Sequence, residues 1–377
     1  MIRPPYFLCQ SAVLFTGLLA GCAHVPKAPS TDPTYADVGP LLEASLKRHN
    51  AAAVGITVIK DGKITWTGTF GEQAPGVPAT AATMFNAASL AKPVTAELTM
   101  RLVSTGAISL DESMSAQWVD PDIVDDPRHK LLTPRLALSH QTGFPNWRFQ
   151  DTGKKLAFTA EPRSGFTYSG EGYEYLRRFL EKKTGKSFEA LIAENIFLPL
   201  GMKSAAFNEQ SWMSGRYAVP MDRSGTFKPA DLAETGKPNA ADNLFVTTED
   251  YAKFVISVVN QEGLTPAVAT ERQRRQVDIP APAACKQKPD QAKIAGCPDV
   301  TEFGLGWIMY RFGDRTILSN SGKDWGEFAM VYIEPATRNG LVVFVNGGNG
   351  VPLAMDAMAL VDPTSLVAAF GRAQMGK

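Results

Sequence analysis

Strand-forming segments at both ends of this chain, with a long helical and loop-rich middle, restrict most strongly what it can fold into. Near the N-terminal end, the apolar-rich runs Val54 to Ile59 and Ile64 to Phe70 flank Asp61-Gly62, a strong two-residue hairpin signal. From Phe303 onward the sequence again reads as strands, over Gly304 to Arg311, Thr316 to Asn320, Phe328 to Ile333 and Gly340 to Asn346. Between these ends, helical periodicity covers Leu90 to Val103, closing near Gly106, and Tyr173 to Lys183. Residues 38–50 form a further expected helix, with Leu41, Leu42, Leu46 and His49 near one face, and a helical region closes the chain. The expected fold is therefore α+β, an α/β sandwich: one antiparallel sheet built from both chain ends, flanked by helices, with a mostly helical subdomain inserted at about 107–240. A Pro/Ala/Lys-rich stretch at about 277–300 reads as a surface insertion, and no internal repeat is visible.

The first residues read as a targeting signal. Arg3 precedes an apolar stretch from Phe7 to Ala20, and Leu19-Ala20-Gly21-Cys22 resembles a bacterial lipobox. That resemblance implies a lipoprotein signal peptide at 1–21, a lipid anchor on Cys22 and a flexible tether at 22–37, leaving the folded domain at 38–377. Ala23 after the cysteine is compatible with outer-membrane sorting in a two-membrane bacterium, so the expected location is the cell envelope, facing the periplasm. Beyond this signal no segment approaches the ~20 apolar residues of a membrane-spanning helix. Membrane contact is thus expected only through Cys22. In an oxidising envelope Cys285 and Cys297 are expected to pair, stabilising the fold by about 3 kcal/mol. No histidine or further cysteine lies near them, so a metal site is not expected. Lysine plus arginine balance aspartate plus glutamate at 38 each, which gives no nucleic-acid footprint.

Ser89-Leu90-Ala91-Lys92-Pro93 is the segment most suited to chemistry. Residues three apart share a helix face, so the Ser89 hydroxyl and the Lys92 amine are expected within hydrogen-bond reach. Pro93 is tolerated only in a first helical turn, which sets the helix start near Ser89 to Ala91. Ser89 then sits at the positive end of the helix dipole, where a developing oxyanion is favoured. Taken alone, the spacing equally describes an N-terminal serine beside a solvated lysine.

Its surroundings go further. Met84 to Pro93 resembles the nucleophile segment of the serine β-lactamase, penicillin-binding and related-esterase family, especially its class C-like branch. Leu136 to Pro145 is similar to that family's "LLTHTSGLP" signature, and Tyr168-Ser169-Gly170 falls where it carries Tyr-x-Asn. Leu198 to Met202, Asp242 to Asp250 and Gly304 to Trp307 resemble "PLGM", "GGLVSTAEDLA" and "GLGW", and Asn320-Ser321-Gly322 falls at the Lys- or His-led third motif. The likeness runs in order from about 38 to 350. It implies a β-lactamase/transpeptidase-like fold and an acyl-enzyme on Ser89, with Lys92 and Tyr168 sharing general acid and base work. It also implies an oxyanion hole from the backbone N–H groups of Ser89 and Lys323, and no metal or organic cofactor.

Two departures bear on substrate. Gly170 replaces the Tyr-x-Asn asparagine, and Asn320 replaces the cation that would hold a substrate carboxylate. Both favour a small neutral acyl substrate, esterase-like or peptidase-like, over a β-lactam or D-alanyl-D-alanine end. Lys323 and Arg315 are candidates for a substitute charge; Glu171 reads first as an exposed loop carboxylate, with entry into the site as the alternative. A true β-lactamase or carboxypeptidase, and a catalytically weak peptidoglycan- or partner-binding protein, remain the alternatives. His140 has a structural role in the resembling family. Trp147, Trp307 and Trp325 are candidates to line the cleft, with core packing an equally good reading for Trp307. Gly347-Gly348-Asn349-Gly350 reads as a strand-end turn, since a phosphate loop would need a G-K-[ST] that is absent.

Overall fold

The computed structural model describes residues 35–151, 153–228, 238–280, 285 and 296–374. The expected signal peptide, Cys22 and all but the last residues of the tether lie outside them. Asp61 and Gly62 both take positive φ, 47° and 68°, and close the hairpin of β1 (Ala53–Lys60) and β2 (Lys63–Ala74). The short strands β3 (Val77–Pro78), β4 (Phe85–Asn86), β5 (Ala205–Ala206), β6 (Phe245–Val246) and β7 (Val277–Asp278) follow in sequence. Then come β8 (Val300–Phe303), β9 (Ile308–Phe312), β10 (Arg315–Lys323), β11 (Glu327–Glu334) and β12 (Asn339–Asn346).

The main sheet runs β3-β2-β1-β12-β11-β10-β9-β8-β7, and a small sheet runs β4-β6-β5. The chain ends meet where β1 pairs antiparallel with β12, from Ala53↔Asn346 to Ile59↔Gly340. Period-two alternation sends Phe328 and Tyr332 to one face and Ala329, Val331 and Ile333 to the other. The first face packs on α1 (Val38–His49) and on two C-terminal helices. The other packs on α2 (Ala91–Ser104), a helix buried on nearly every side. Two helical layers therefore enclose one sheet.

The remaining helices are α3 (Pro134–Leu138), α4 (Arg148–Asp151), α5 (Gly170–Thr184), α6 (Phe188–Ile192), α7 (Thr248–Val259), α8 (Pro266–Arg272), α9 (Gly350–Val361) and α10 (Leu366–Gln374). Among the described residues of 107–240 the longest helices are α5 and the unbroken run from α6 through Phe197, joined by short helical turns and loops. Two local expectations shift. Leu41 is exposed, because the buried stripe of α1 is Val38, Leu42, Ser45 and Leu46. Residues 304–307 form a turn between β8 and β9 rather than strand, because Gly306 takes φ 84° against Ala96, where a Cβ would lie 2.2 Å from the alanine Cβ. Cys285 and Cys297 are joined by a disulfide with Cα atoms 5.8 Å apart.

Candidate active site

A 3-10 turn over Ala88–Leu90 leads into α2 and presents a half-buried Ser89. Ala88 holds φ 46°, sparsely populated for a non-glycine residue, so the backbone is strained one residue before the serine. Lys92, one turn further, is 1% exposed, and its Nζ donates to Ser89 Oγ at 2.9 Å and to Ala241 O at 2.9 Å. Tyr168 stands at the mouth, and Lys92 Nζ lies 4.7 Å from its ring centroid, over the face. Among the described residues the Tyr168 hydroxyl makes no hydrogen bond. Gly322 closes the opposite wall: a Cβ there would lie 2.8 Å from Ser89 N and 2.3 Å from Ala87 O. β10 therefore runs backbone to backbone past the serine, with Ser321 and Lys323 exposed at its end.

The sequence matches the family model described as Beta-lactamase over residues 39–363. The chain belongs to the beta-lactamase family. Penicillin-binding protein 4 of Amycolatopsis lactamdurans is 24% identical over 333 residues, spanning 81% of this chain and 84% of that protein. The octameric penicillin-binding protein homologue from Pyrococcus abyssi matches with TM-score 0.71 at 21% identity, over 88% of this chain and 78% of that one. A D-amino acid amidase from Ochrobactrum anthropi SV3, solved with L-phenylalanine amide, matches with TM-score 0.67 at 21% identity, over 88% and 99%. These structures share the mixed fold with its large antiparallel sheet.

In this beta-lactamase-family site both sequence departures have a structural counterpart. A Cβ on Gly170 would lie 2.5 Å from the Trp147 indole, so the tryptophan occupies the space next to the missing side chain. Asn320 is buried, its Nδ2 donating to Gly306 O at 3.1 Å and its Oδ1 accepting from Ser321 N at 2.8 Å. Its amide thus ties the 304–307 turn to β10 instead of facing a ligand.

Two sequence readings are corrected, and a third is decided. Arg315 lies at the far end of β10, about 26 Å from Lys323 at strand rise, and is held by both oxygens of Glu334 at 2.7 and 2.8 Å. It supplies no charge to the site. Glu171 is buried, and its carboxylate accepts from Arg148 N, Nε and Nη2 at 3.0, 3.0 and 2.8 Å. It binds α4 to the start of α5, a role hidden in sequence because the partner lies 23 positions away. Trp307 is core, with Nε1 donating to Glu97 Oε1 at 3.1 Å, whereas Trp325 is exposed.

The sequence reading missed a group of carboxylates on the β10 side. Asp242 adjoins Ala241, the lysine's acceptor; burial lifts its carboxyl to about 6, with Lys92 opposing and Asp324 adding. Glu327 is raised to about 8 by burial, then by Asp324 and Asp242. Only the Asp242 stretch carried a signal, as part of a motif. The sign of the linkage follows: folded Glu327 holds its proton more tightly than the unfolded chain, whose value is 4.5, so native stability falls as pH rises from about 4.5 to about 8. Glu327→Gln is therefore expected to change stability little at pH 5 and to add a few kcal/mol at pH 9. Denaturant titrations at both pH values check this, and a pH-independent difference would contradict it.

Proposed function

We propose that this chain is a serine acyl hydrolase that forms an acyl-enzyme at Ser89 and turns over small ester or amide substrates. The observation that carries this reading is the buried Lys92 Nζ at 2.9 Å from the half-buried Ser89 Oγ. Once uncharged, the Lys92 amine accepts the hydroxyl proton as Oγ attacks the acyl carbon. The proton passes to the leaving group through Lys92 or the Tyr168 hydroxyl, and water then releases the acyl group. The backbone N–H groups of Ser89 and Lys323 are assigned to the oxyanion, on the strength of the Gly322 approach to Ser89. Kinship with a penicillin-binding protein and likeness to an amidase agree with acyl transfer.

The charges around the site support an uncharged acyl group. Asn320 is turned inward and Arg315 is paired, while Asp242 and Asp324 lie on the same side, Glu327 beside them keeping its proton until about pH 8, and the exposed Lys323 opposes them. A substrate carboxylate meets like charge there. With purified protein, p-nitrophenyl acetate is expected to show kcat/KM at least about 10-fold above nitrocefin. Faster nitrocefin turnover that depends on Ser89 would instead make the chain a β-lactamase or carboxypeptidase, and ligand retention without turnover would make it a binding protein.

A further inference from the structure

His140 is a buried titratable group that the mechanism above does not use. It follows α3 at φ 58°, a left-handed conformation that turns both its carbonyl and its ring toward the Tyr168 segment. Its backbone O accepts from Thr167 N at 2.8 Å, and its Nδ1 accepts from Ser169 N at 3.0 Å. The peptide N–H groups on either side of Tyr168 are thus both held by one residue. The imidazole also lies against the Tyr168 ring, with centroids 4.4 Å apart, and is backed by Phe166, Tyr173 and Phe303 at 5.5, 5.2 and 4.9 Å.

Because Nδ1 accepts, the proton sits on Nε2, and that buried atom has no hydrogen-bond partner among the described residues. Leaving a buried donor unpaired is costly, and an apolar side chain would avoid it. The bond from Ser169 N compensates for it. We propose that His140 is a positioning residue that clamps Tyr168 over Lys92, a proposal that rests on the Ser89–Lys92–Tyr168 reading. Burial, and then the Lys92 charge, hold the imidazole well below 6.5, which keeps Nδ1 an acceptor. The groups facing it are Lys92 from α2, Tyr168, Tyr173 from α5, and the Ser169 N–H.

The test compares His140→Asn with His140→Gly. Both tolerate φ 58°, but only asparagine can place an oxygen where Nδ1 lies. The glycine variant is expected to lose about 10- to 100-fold in kcat with KM changed less than about 3-fold, and the asparagine variant to stay within about 3-fold of wild type. Amide exchange at Ser169, whose acceptor is the ring, is expected to speed up in the glycine variant more than at Thr167, whose acceptor is the backbone O, while exchange in the middle of α5 does not change. This readout needs no catalysis, so it judges the clamp even if the wild type proves inactive. Unchanged exchange in the glycine variant, or faster exchange with unchanged kcat in an active enzyme, would overturn the proposal. Equal losses in both variants would do the same.

Discussion

Replacing Lys92 with methionine is expected to lower kcat/KM for ester hydrolysis by about 10³-fold without lowering the melting temperature. The two readouts separate because the lysine suits chemistry better than folding. Its side chain is 1% exposed, and among the described residues no carboxylate lies within salt-bridge distance of its Nζ. A buried ammonium without a paired anion costs stability, and methionine fills a similar volume with no charge to desolvate. The loss to set against this is one hydrogen bond to Ala241 O, worth about 1 kcal/mol. Near-wild-type turnover would remove Lys92 from the mechanism. Lost activity with a collapsed fold would show that the lysine is needed for structure.

The second large effect is expected at Gly322. Both nearest neighbours of an added Cβ, Ala87 O at 2.3 Å and Ser89 N at 2.8 Å, are backbone atoms that cannot rotate away. Gly322→Ala must therefore separate β10 from the turn that carries the nucleophile. Overpacking of this kind costs about 1–3 kcal/mol, and displacing an oxyanion donor costs about 10²-fold or more in kcat. Urea unfolding and steady-state kinetics on one preparation give both numbers. A stable variant within about 3-fold of wild-type kcat would mean that β10 is not the oxyanion wall.

What the sequence showed and concealed follows from the range of each interaction. The Asp61-Gly62 hairpin and the start of α2 at Ser89 to Ala91 were legible because turn and capping chemistry is local. That β1 and β12 belong to one sheet was legible from apolar strand runs at both chain ends, but their register, Ala53 opposite Asn346, depends on partners almost three hundred positions apart. The site divides in the same way. Ser89 and Lys92 meet because they are three apart on one helical turn. The burial of Glu171 and the pairing of Arg315 with Glu334 are long-range contacts that leave no local trace. Gly170 read as the loss of an asparagine, whereas the structure adds a gain, the Trp147 indole against it. Asp324 and Glu327 were unremarkable acids until the β10–β11 turn placed them beside Asp242.

The central claim is that Ser89 is an activated nucleophile. Intact-mass spectrometry of the folded chain from residue 23, with and without a fluorophosphonate probe, tests it most directly. The account predicts one covalent adduct on the wild-type protein and none on Ser89→Ala. Absence of the adduct from properly folded wild-type protein, or an adduct that persists in Ser89→Ala, would contradict it.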